Sequence, residues 1–572
     1  MNALSATTAI STGRVHLVTF RRQSLTMARW RVLWVALVFA LVAAAAVLRI
    51  FYFGLSDRAV SRTSMEDALL PPRGEITDRN GAPLARAFPA YALWYNPDAL
   101  GDEGAPLVKS PEQVAAELKA IFPTLDETKV TRQLASGKKG YIRRRVLPEE
   151  ANQVQSIGEL ALGMPRESDR HYPQGTLGAH VLGYVVEGQG GKIGMEQVLQ
   201  DRLSDPEQRG QSVELSIDVR VQGALEDELR RGMLSTNAIG AAGIVLDVDT
   251  GEIMALASFP DFDPNVIDAS GSPNVFNRAT NGLYELGSTF KPLTVAAAID
   301  AGVVRDLGKS WDARPVKVGR RMIRDLQSKG DTLNVPQALV YSSNTVTARV
   351  ADELGSARLQ QMLVDLDMDQ RPTIELPAKG KPLWPRDADN RHTNMVIGYG
   401  HSLAVTPLHL ANAYAAMVNG GISRPATLHK LAPGDVPRGK RVFKASTSSR
   451  MRQLLRMISL FGTGRSADAA GYRVGGKTGS AEKPTNGGYS ERKIISTFAA
   501  AFPMDRPRYV VVAMIDEPRG TLASSYQRTA AWNAAPVVGR LVPRIGPILG
   551  VQPDARRDVD ISDLRALVAK AK

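Results

Sequence analysis

The sequence predicts an α+β protein in which helices pack on an antiparallel sheet, with one N-terminal helix that crosses a membrane. The sheet is predicted by two apolar hairpins: residues 241–259 form two strands that turn at 249–252, and residues 496–502 pair with 509–515. Helical patterns lie between and after these hairpins. With 572 residues, the chain is too long for one ordinary core, so we expect at least two domains.

The anchor is predicted by an uncharged run over residues 32–48, which continues past Arg49 to Phe53. Counted to Phe53, it has the length of one bilayer crossing, about 20 residues. Five arginines and no acidic residue precede it, so we expect residues 1–31 to be a cytoplasmic tail and 32–53 to be the transmembrane anchor. A cleaved signal peptide is the alternative, but this apolar run is longer than a typical signal core.

The outer part divides by its pattern into a loop-rich region and a regular one. Residues 54–213 are mixed and hold no nucleophile beside a base, so we expect a non-catalytic domain; its Asn80-Gly81 pair predicts a hairpin turn. Residues 214–549 are regular, and the polar tail over 550–572 is expected to be only partly ordered. The helices predicted in the regular region cover residues 219–234, 289–303, 335–354, 407–418 and 529–542.

Composition argues against several functional classes. The formal charge is +13, but acidic and basic residues are interspersed and no basic block with aromatic residues appears, so we expect no nucleic-acid partner. The chain has no cysteine, which leaves no thiol or disulfide chemistry. None of the seven histidines is paired in a zinc-hydrolase spacing. We therefore predict no metal site and no cofactor.

Three short motifs follow one another within the regular region: Ser288-Thr289-Phe290-Lys291, Ser342-Ser343-Asn344 and Lys477-Thr478-Gly479-Ser480. Together they supply a serine nucleophile, amines that can activate it and a strand that can bind an anion. This combination indicates acyl transfer. The hypothesis requires that the three motifs, which are far apart in the chain, line a single cleft.

The first motif is distinguished from chance matches by its setting. Ser288 and Lys291 stand at the start of an apolar helix, where residues three apart share a face and the amine can reach the hydroxyl. The same spacing occurs in three other pairs, which we expect to lie in loop-like segments: Ser136/Lys139, Ser480/Lys483 and Ser490/Lys493. Ser342 and Asn344 alone would be typical of helix capping.

The third motif also matches a phosphate-binding pattern, since residues 471–478 read Gly-x4-Gly-Lys-Thr. A phosphate loop follows a strand and opens a helix, whereas this segment leads into the turn-forming residues 484–488. We therefore predict a strand edge instead of a nucleotide site. Glycines at 475, 476 and 479 would let a peptide backbone approach this edge closely.

The three motifs, with their order and spacing, resemble the penicillin-binding proteins and the serine β-lactamases. Segments at 73–81, 250–253, 277–279 and 398–408 narrow the resemblance to monofunctional class B penicillin-binding proteins. The chain is most similar to the division-specific (septal) peptidoglycan D,D-transpeptidases, over about residues 73–538. This resemblance implies a pedestal-like dimerisation domain over 54–213 and a transpeptidase domain over 214–549. Leu286 departs from the family, which commonly has proline there.

The resemblance implies catalytic roles for four residues. Ser288 would attack the penultimate D-Ala carbonyl of a stem pentapeptide and form an acyl-enzyme. Lys291 would accept the serine proton, which requires a neutral amine. Ser342 would relay a proton to the leaving amine, and Asn344 would hold Lys291 and the substrate amide.

The third motif would bind the substrate. Lys477 and Thr478 would hold its terminal carboxylate, and Gly479 would admit its backbone. The backbone N–H groups of Ser288 and Ser480 would form the oxyanion hole. An amine from a neighbouring stem would then attack the acyl-enzyme and form the cross-link.

The resemblance also implies partners and a location. The partners would be a stem peptide ending in D-Ala-D-Ala, β-lactams that trap Ser288, a septal glycosyltransferase and other membrane proteins of the division complex. The protein would span the bacterial inner membrane once, with a periplasmic catalytic domain at the septum. The alternatives are an elongation-type transpeptidase, a D,D-carboxypeptidase, a β-lactamase and a non-catalytic division scaffold.

Overall fold

The computed structural model describes residues 29–49, 73–100, 107–186, 189–267, 271–485 and 488–569. The chain divides into two units, Met1–Leu70 and Pro71–Lys572. In the first unit, the helix Arg29–Arg49 is long and apolar enough to cross a membrane, with a mean hydropathy of 2.5 over its most apolar window. Residues 50–53 of the predicted anchor lie outside the described residues.

The second unit is built around a five-stranded antiparallel sheet. Its strands, in spatial order, are Ile253–Phe259, Gly240–Asp247, Tyr509–Asp516, Gly488–Phe502 and Gly475–Thr485. The two predicted hairpins are confirmed, and so is the predicted strand edge, because the last of these strands, hereafter the edge strand, ends the sheet. The α+β class is therefore correct.

Both faces of this sheet are apolar. In its central strand, Tyr509–Asp516, successive apolar side chains point alternately to the two faces. Val510, Val512 and Met514 face one core, whereas Val511 and Ile515 face the other. Successive side chains of a strand point to opposite faces, so an uninterrupted apolar run is the pattern of a strand covered on both sides. Helices must therefore cover each face.

One face packs against the helices Val219–Ser235 and Ala534–Ile545. The other packs against Pro407–Val418, with Lys291–Asp300 and Ala445–Phe461 beside it. The remaining helices of this region are Val335–Tyr341, Asn344–Leu354, Ser356–Asp365, Arg391–Gly398 and Ser562–Ala569. The apolar helix that follows Ser288 is thus buried inside the larger core, as its composition predicts.

Two predicted helices are interrupted. Residues 335–354 were expected to form one helix, but the chain breaks at Ser342, whose φ of 62° is left-handed. A side chain with a Cβ is disfavoured there, so the break is a specific local feature. The helix expected over 289–303 begins as a 3-10 turn, Gly287–Phe290, before Lys291–Asp300.

The closing helix expected over 529–542 is confirmed with shifted bounds, since it is Ala534–Ile545 and follows the 3-10 turn Ala530–Trp532. The tail over 550–572 was expected to be only partly ordered, and its described part carries the helix Ser562–Ala569, with Leu564 buried. Ion pairs such as Arg456–Asp558 at 2.7 Å connect the tail to the helix Ala445–Phe461.

Two of the three other Ser-x-x-Lys pairs lie in strands, although the sequence predicted loop-like segments for them. Ser480 and Lys483 belong to the edge strand, and Ser490 and Lys493 to its neighbour Gly488–Phe502. The glycines and charged residues of these segments led to the prediction of loops. Neither pair opens a helix, so neither repeats the geometry of Ser288 and Lys291.

The region before residue 214 has its own six-stranded sheet. Its strands are Ile76–Thr77, Pro83–Tyr95, Gly140–Val146, Leu162–Gly163, Arg166–His171 and Val213–Glu214, and the predicted turn at Asn80-Gly81 is confirmed, with Gly81 at a φ of 83°. Two further short strands, Val185–Val186 and Gly190–Gly191, pair with each other. The helices here are Pro111–Ile121, Glu127–Ala135, Pro148–Ser156, Ala179–Leu182, Gly194–Val198 and Gln200–Ser204.

A buried carboxylate joins distant parts of this region. Glu196 is inaccessible to solvent and accepts hydrogen bonds from Arg73 at 2.9 Å and from Arg170 at 2.6 Å. Tyr172 donates its hydroxyl to the same carboxylate at 3.3 Å. Buried charges are tolerated when they are paired in this way. Removing the charge of Glu196 would leave Arg73 and Arg170 buried without their counter-charge.

We predict that Glu196→Gln lowers the free energy of unfolding by about 3 to 5 kcal/mol, the cost of breaking a buried ion pair. Glutamine keeps the size of the side chain but not its charge. Denaturant unfolding of the full chain in detergent, compared with the exposed control Glu112→Gln, would measure the effect. Equal unfolding midpoints for the two variants would contradict the assignment of Glu196 as a stabilising ion-pair partner.

Candidate active site

Ser288 lies in the 3-10 turn Gly287–Phe290, directly before the buried helix that begins with Lys291. The turn is fixed from within and from outside: the Thr289 hydroxyl donates to the carbonyl of Leu286 at 2.8 Å, and the Tyr414 hydroxyl donates to the carbonyl of Thr289 at 2.8 Å. Ser288 itself is partly exposed, whereas Lys291 is fully buried. The turn therefore places a partly exposed hydroxyl three residues before a buried amine.

The amine of Lys291 is held by the second motif. Its Nζ donates to the Asn344 Oδ1 at 2.7 Å, to the Ser342 Oγ at 3.1 Å and to the carbonyl oxygen of Ser342. An ammonium has three N–H donors, and these contacts use all three. Side chains 51 and 53 residues further along the chain thus converge on one nitrogen.

The break at Ser342 makes this cage possible. Because Ser342 is left-handed and ends the helix Val335–Tyr341, its carbonyl turns away from the helix axis and accepts from Lys291. The next helix starts at once, since the Ser343 side chain accepts from the N–H of Val346 at 3.2 Å as an N-cap. Ser342 and Asn344 therefore flank a capped corner between two helices.

Asp325 braces this corner from outside the three motifs. Its carboxylate accepts from the Ser343 hydroxyl at 2.7 Å, from the N–H of Thr345 at 3.0 Å and from the N–H of Asn344. These contacts satisfy free N–H groups of the first helical turn and place a negative charge at its positive end. Nothing in the local sequence pattern marks Asp325, which follows the short strand Arg321–Ile323.

The first residue of the third motif reaches the same hydroxyl from the opposite side. Lys477 is fully buried, and its Nζ donates to the Ser342 Oγ at 3.0 Å and to the carbonyl of Thr478 at 2.9 Å. The Ser342 oxygen thus accepts from both lysines. With both lone pairs occupied, its own proton is free to be donated elsewhere.

Burial and mutual repulsion favour proton loss from the two amines. Burial lowers the pKa of Lys291 to about 7, although the Asp325 charge opposes that shift. Burial and the charge of Lys291 place the pKa of Lys477 well below its ordinary value. The pKa of His401 falls to about 4, through burial and then the charge of Lys291. At neutral pH, a substantial fraction of Lys291 therefore carries a lone pair.

Glycine lets the edge strand approach the turn that carries Ser288. A Cβ at Gly479 would lie 2.3 Å from the carbonyl oxygen of Leu286, which is sterically forbidden. Ser480 accepts a hydrogen bond at its Oγ from the N–H of Ala530 at 3.0 Å. The hydroxyl of Thr478 is 2.5 Å from that of Thr463, at the end of another helix.

The structure therefore brings Lys291, Ser342, Asn344, Lys477 and Thr478 into one hydrogen-bonded cluster. The turn with Ser288 packs against the edge strand at Gly479 and Ser480. The sequence motifs did not identify two neighbours of this cluster, Asp325 and Thr463. Among the described residues, no group of His, Asp and Glu is arranged to hold a metal ion.

One cavity lies at the far end of the edge strand, and another lies beside Thr463, between helices that cover the opposite face of the sheet from Lys291. The first, about 450 Å³, is lined at the far end of the strand by Glu482 and Lys483, and by Glu285 from before the serine turn. Burial raises the pKa of Glu285, which accepts from the Tyr489 hydroxyl at 2.9 Å. The second, about 660 Å³, includes Thr463, the hydrogen-bond partner of Thr478.

The chain matches two protein families. The penicillin-binding protein transpeptidase domain matches residues 241–537, and the penicillin-binding protein dimerisation domain matches residues 68–231. The first family covers all three motifs and, except for Gly240, the whole five-stranded sheet.

Similar proteins cover most of the chain. A probable peptidoglycan D,D-transpeptidase FtsI from Caulobacter vibrioides is 37% identical over 84% of this chain and 82% of its own length. The probable peptidoglycan D,D-transpeptidase PenA of Neisseria gonorrhoeae is 32% identical over 82% of this chain and 84% of its own. FtsI of Escherichia coli is 29% identical over 84% of both chains.

A solved structure supports the fold. Penicillin-binding protein 3 from Mycobacterium tuberculosis, complexed with aztreonam, superposes with a TM-score of 0.65 at 23% identity. The match covers 86% of this chain and 99% of that one. The same protein complexed with ampicillin gives the same TM-score.

We predict that Asp325→Asn lowers the pKa of Lys291 further, by roughly half a pH unit, because a nearby negative charge that favours the ammonium is removed. Asparagine keeps one acceptor oxygen for the N–H groups of Asn344 and Thr345. The ¹³Cε shift of Lys291 across pH 5 to 9, assigned with Lys291→Arg, reports the titration. Asp331→Asn, an exposed carboxylate nearby, should leave it unchanged. A midpoint that rises or stays constant in Asp325→Asn would contradict this account.

Proposed function

The chain belongs to the penicillin-binding protein transpeptidase family, and we propose that it is a peptidoglycan D,D-transpeptidase of cell division and a target of β-lactams. The family match and the relatives named FtsI support this function. The observation that carries the chemistry is the convergence of Lys291 and Lys477 on the Ser342 hydroxyl, beside the turn that presents Ser288. This arrangement supplies a nucleophile, a neutral amine and a proton relay in one cleft.

In the first half-reaction, Ser288 is the nucleophile and neutral Lys291 is the base. The Ser288 Oγ attacks the penultimate D-Ala carbonyl while Lys291 takes the hydroxyl proton. The backbone N–H groups of Ser288 and Ser480 stabilise the oxyanion. Ser342, which already accepts from both lysines, passes its proton to the leaving amine and receives in return the proton that Lys291 took from Ser288. The products are the serine ester and free D-Ala.

The donor peptide lies along the edge strand. Lys477 and Thr478 bind its terminal carboxylate, and Ser480 contacts the reacting carbonyl. Continuing in that direction, the rest of the acyl group reaches the first cavity, beside Glu285 and Glu482. Pairing with an exposed strand edge orients an extended peptide through its backbone, and Gly479 keeps the edge close to the serine turn.

We infer the location and the partners from the relatives and from the apolar helix. The helix Arg29–Arg49 holds the protein in the bacterial inner membrane, with a cytoplasmic N-terminus and a periplasmic catalytic domain. The relatives named FtsI support a place at the division septum. A septal glycosyltransferase and other membrane proteins of the division complex are the partners that such a place implies.

We predict that Ser288→Ala abolishes covalent labelling of the full chain by a fluorescent penicillin, because no other hydroxyl among the residues that the structure describes stands at the start of a buried helix with a lysine three residues later. Ser136→Ala is the matched control, since Ser136 precedes Lys139 at the same spacing but is exposed. Gel fluorescence and mapping of the labelled peptide provide the measurement.

Labelling that survives in Ser288→Ala, or disappears in Ser136→Ala, would refute the assignment of the nucleophile. The lifetime of the labelled wild-type protein tests the reaction class. A transpeptidase retains the penicilloyl group for many minutes, whereas rapid turnover of the antibiotic would indicate a β-lactamase.

We predict that protease added to spheroplasts digests the part of the chain after residue 53, while an N-terminal tag remains protected. The same tag, made fluorescent, should concentrate at the division plane of growing cells. Digestion of the tag would overturn the proposed orientation. A uniform signal along the lateral wall would favour the elongation role over the septal one.

A further inference from the structure

The helix Ala445–Phe461, hereafter the bridging helix, contacts the elements that carry all three motifs. At its start, the Thr447 hydroxyl donates to a carboxylate oxygen of Asp300 at 2.7 Å, and Asp300 is the last residue of the helix that begins with Lys291. The N–H of Lys444, which precedes the bridging helix, donates to the same oxygen at 2.7 Å. The helix of the first motif is therefore fixed to this end of the bridging helix.

The second and third motifs meet the other end of the bridging helix. A Cβ at Gly462, the residue after this helix, would lie 2.6 Å from the carbonyl oxygen of Val340. Glycine at this position therefore permits close contact with the helix that ends beside Ser342. One residue later, the Thr463 hydroxyl is 2.5 Å from the hydroxyl of Thr478 in the edge strand. Movement of this end would disturb both motifs together.

The bridging helix also holds the start of the edge strand. Arg456 is buried in the middle of the helix, and its Nη1 donates to the carbonyl of Val474 at 2.8 Å. Val474 directly precedes Gly475, the first residue of the edge strand. The same guanidinium pairs with Asp468 at 2.6 Å and with Asp558 at 2.7 Å. A buried guanidinium requires such partners, so the loss of Asp558 would weaken the position of Arg456.

The C-terminal segment lies along one face of the bridging helix and runs in the opposite direction. Residues three apart on a helix share a face. Three side chains with this spacing contact successive residues of the C-terminal segment: Arg456 pairs with Asp558, Gln453 donates to the carbonyl of Asp560 at 2.6 Å, and Arg450 pairs with Asp563 at 2.5 Å. The segment therefore spans about two turns of the bridging helix.

Apolar burial and one further hydrogen bond fix the end of this segment. Ile561 and Leu564 are buried in the larger core. The Asn334 side chain donates to the carbonyl of Leu567 at 3.0 Å, and its Oδ1 also caps the helix that ends beside Ser342. The segment thus contacts both the bridging helix and the helix of the second motif.

We propose that residues 556–569, hereafter the strap, are a positioning element for the reaction. Through the bridging helix, the strap holds Ser288, Ser342 and Lys477 at reacting distance, and its release slows acylation of the serine. The strap acts through other elements, so it is not part of the catalytic machinery. This proposal rests on the proposed transpeptidase function and adds a structural control of its first half-reaction.

Release of the strap has a specific consequence for Lys291. Burial lowers the pKa of this amine to about 7, and the charged or titratable groups that face it are Asp325, Lys477 and His401. These three groups lie outside the strap, so release changes the burial of the amine and not the charges around it. A looser core admits water to the amine, and its pKa then rises toward the ordinary value.

The pH dependence of acylation separates positioning from simple unfolding. Acylation needs the neutral form of Lys291, and a higher pKa reduces the neutral fraction at pH 7. At a pH well above the new pKa, the amine is neutral whether the strap is bound or not, so the rate recovers. Loss of folded protein would instead lower the rate by the same factor at every pH.

The experiment releases the strap after the full chain has folded. A recognition site for a sequence-specific protease is inserted between Ala555 and Arg556, which are exposed in a turn. The protein in detergent is cleaved and separated from the released fragment, and its labelling rate by a fluorescent penicillin is measured from low to high pH. The matched control carries the same site between Pro433 and Gly434, in another exposed turn.

We expect release of the strap to lower the labelling rate at pH 7 about tenfold and to raise the pH of half-maximal rate by about one unit, since one pKa unit changes the neutral fraction tenfold. The two rates should converge at high pH. Cleavage at Pro433 should change neither quantity. Leu564→Asp in the uncleaved chain is a second way to release the strap, and it should cause the same loss and the same shift.

Rescue by a peptide completes the test. A synthetic peptide of residues 556–572 should restore the rate at pH 7 to the cleaved protein, whereas the same peptide with Leu564→Asp should not. An unchanged rate after release, or an intact peptide that fails to restore it, would overturn the strap while leaving the transpeptidase function intact. An equal loss at every pH would also overturn it. Absence of labelling in the uncleaved wild type would overturn the proposed function itself.

Discussion

The burial of the Lys291 amine is the constraint on which the site depends. A buried ammonium is tolerated only where its donors are satisfied, and here a carbonyl, a hydroxyl and an amide oxygen from the Ser342–Asn344 corner satisfy them. The same burial lowers its pKa to about 7, so the group changes charge easily near neutrality. The contacts of the buried Lys291 amine therefore hold the first and second motifs together, and the same amine can act as a proton acceptor.

The sheet and the helices position this amine. Because both faces of the sheet are covered, residues 291–298 of the helix Lys291–Asp300 are buried in the core and cannot shift without disturbing many neighbours. The edge strand then contributes a second buried amine, Lys477, to the same hydroxyl. Two buried amines near one oxygen repel each other, which favours loss of a proton from the pair. The tightly packed core holds the Lys291 and Lys477 amines close together despite this repulsion.

Much of the fold could be predicted from the sequence because its signals are local. Apolar runs and turns identified both hairpins, and Pro292 limited where the helix after Ser288 could begin. The break at Ser342 was not predicted, since the residues around it read as one helix, and the contacts of Ser342 with Lys291 and Lys477 join distant parts of the chain. Asp325 was missed for the same reason: its role depends on where the chain folds and not on its neighbours in sequence.

The C-terminal helix Ser562–Ala569 links the end of the chain to this corner. The Asn334 side chain, which caps the helix that ends at Ser342, donates to the carbonyl of Leu567 at 3.0 Å. Arg450 pairs with Asp563 at 2.5 Å. During biosynthesis, these contacts form only after residues 562–569 have emerged from the ribosome. A chain truncated before this segment would therefore lack the contacts that support the corner.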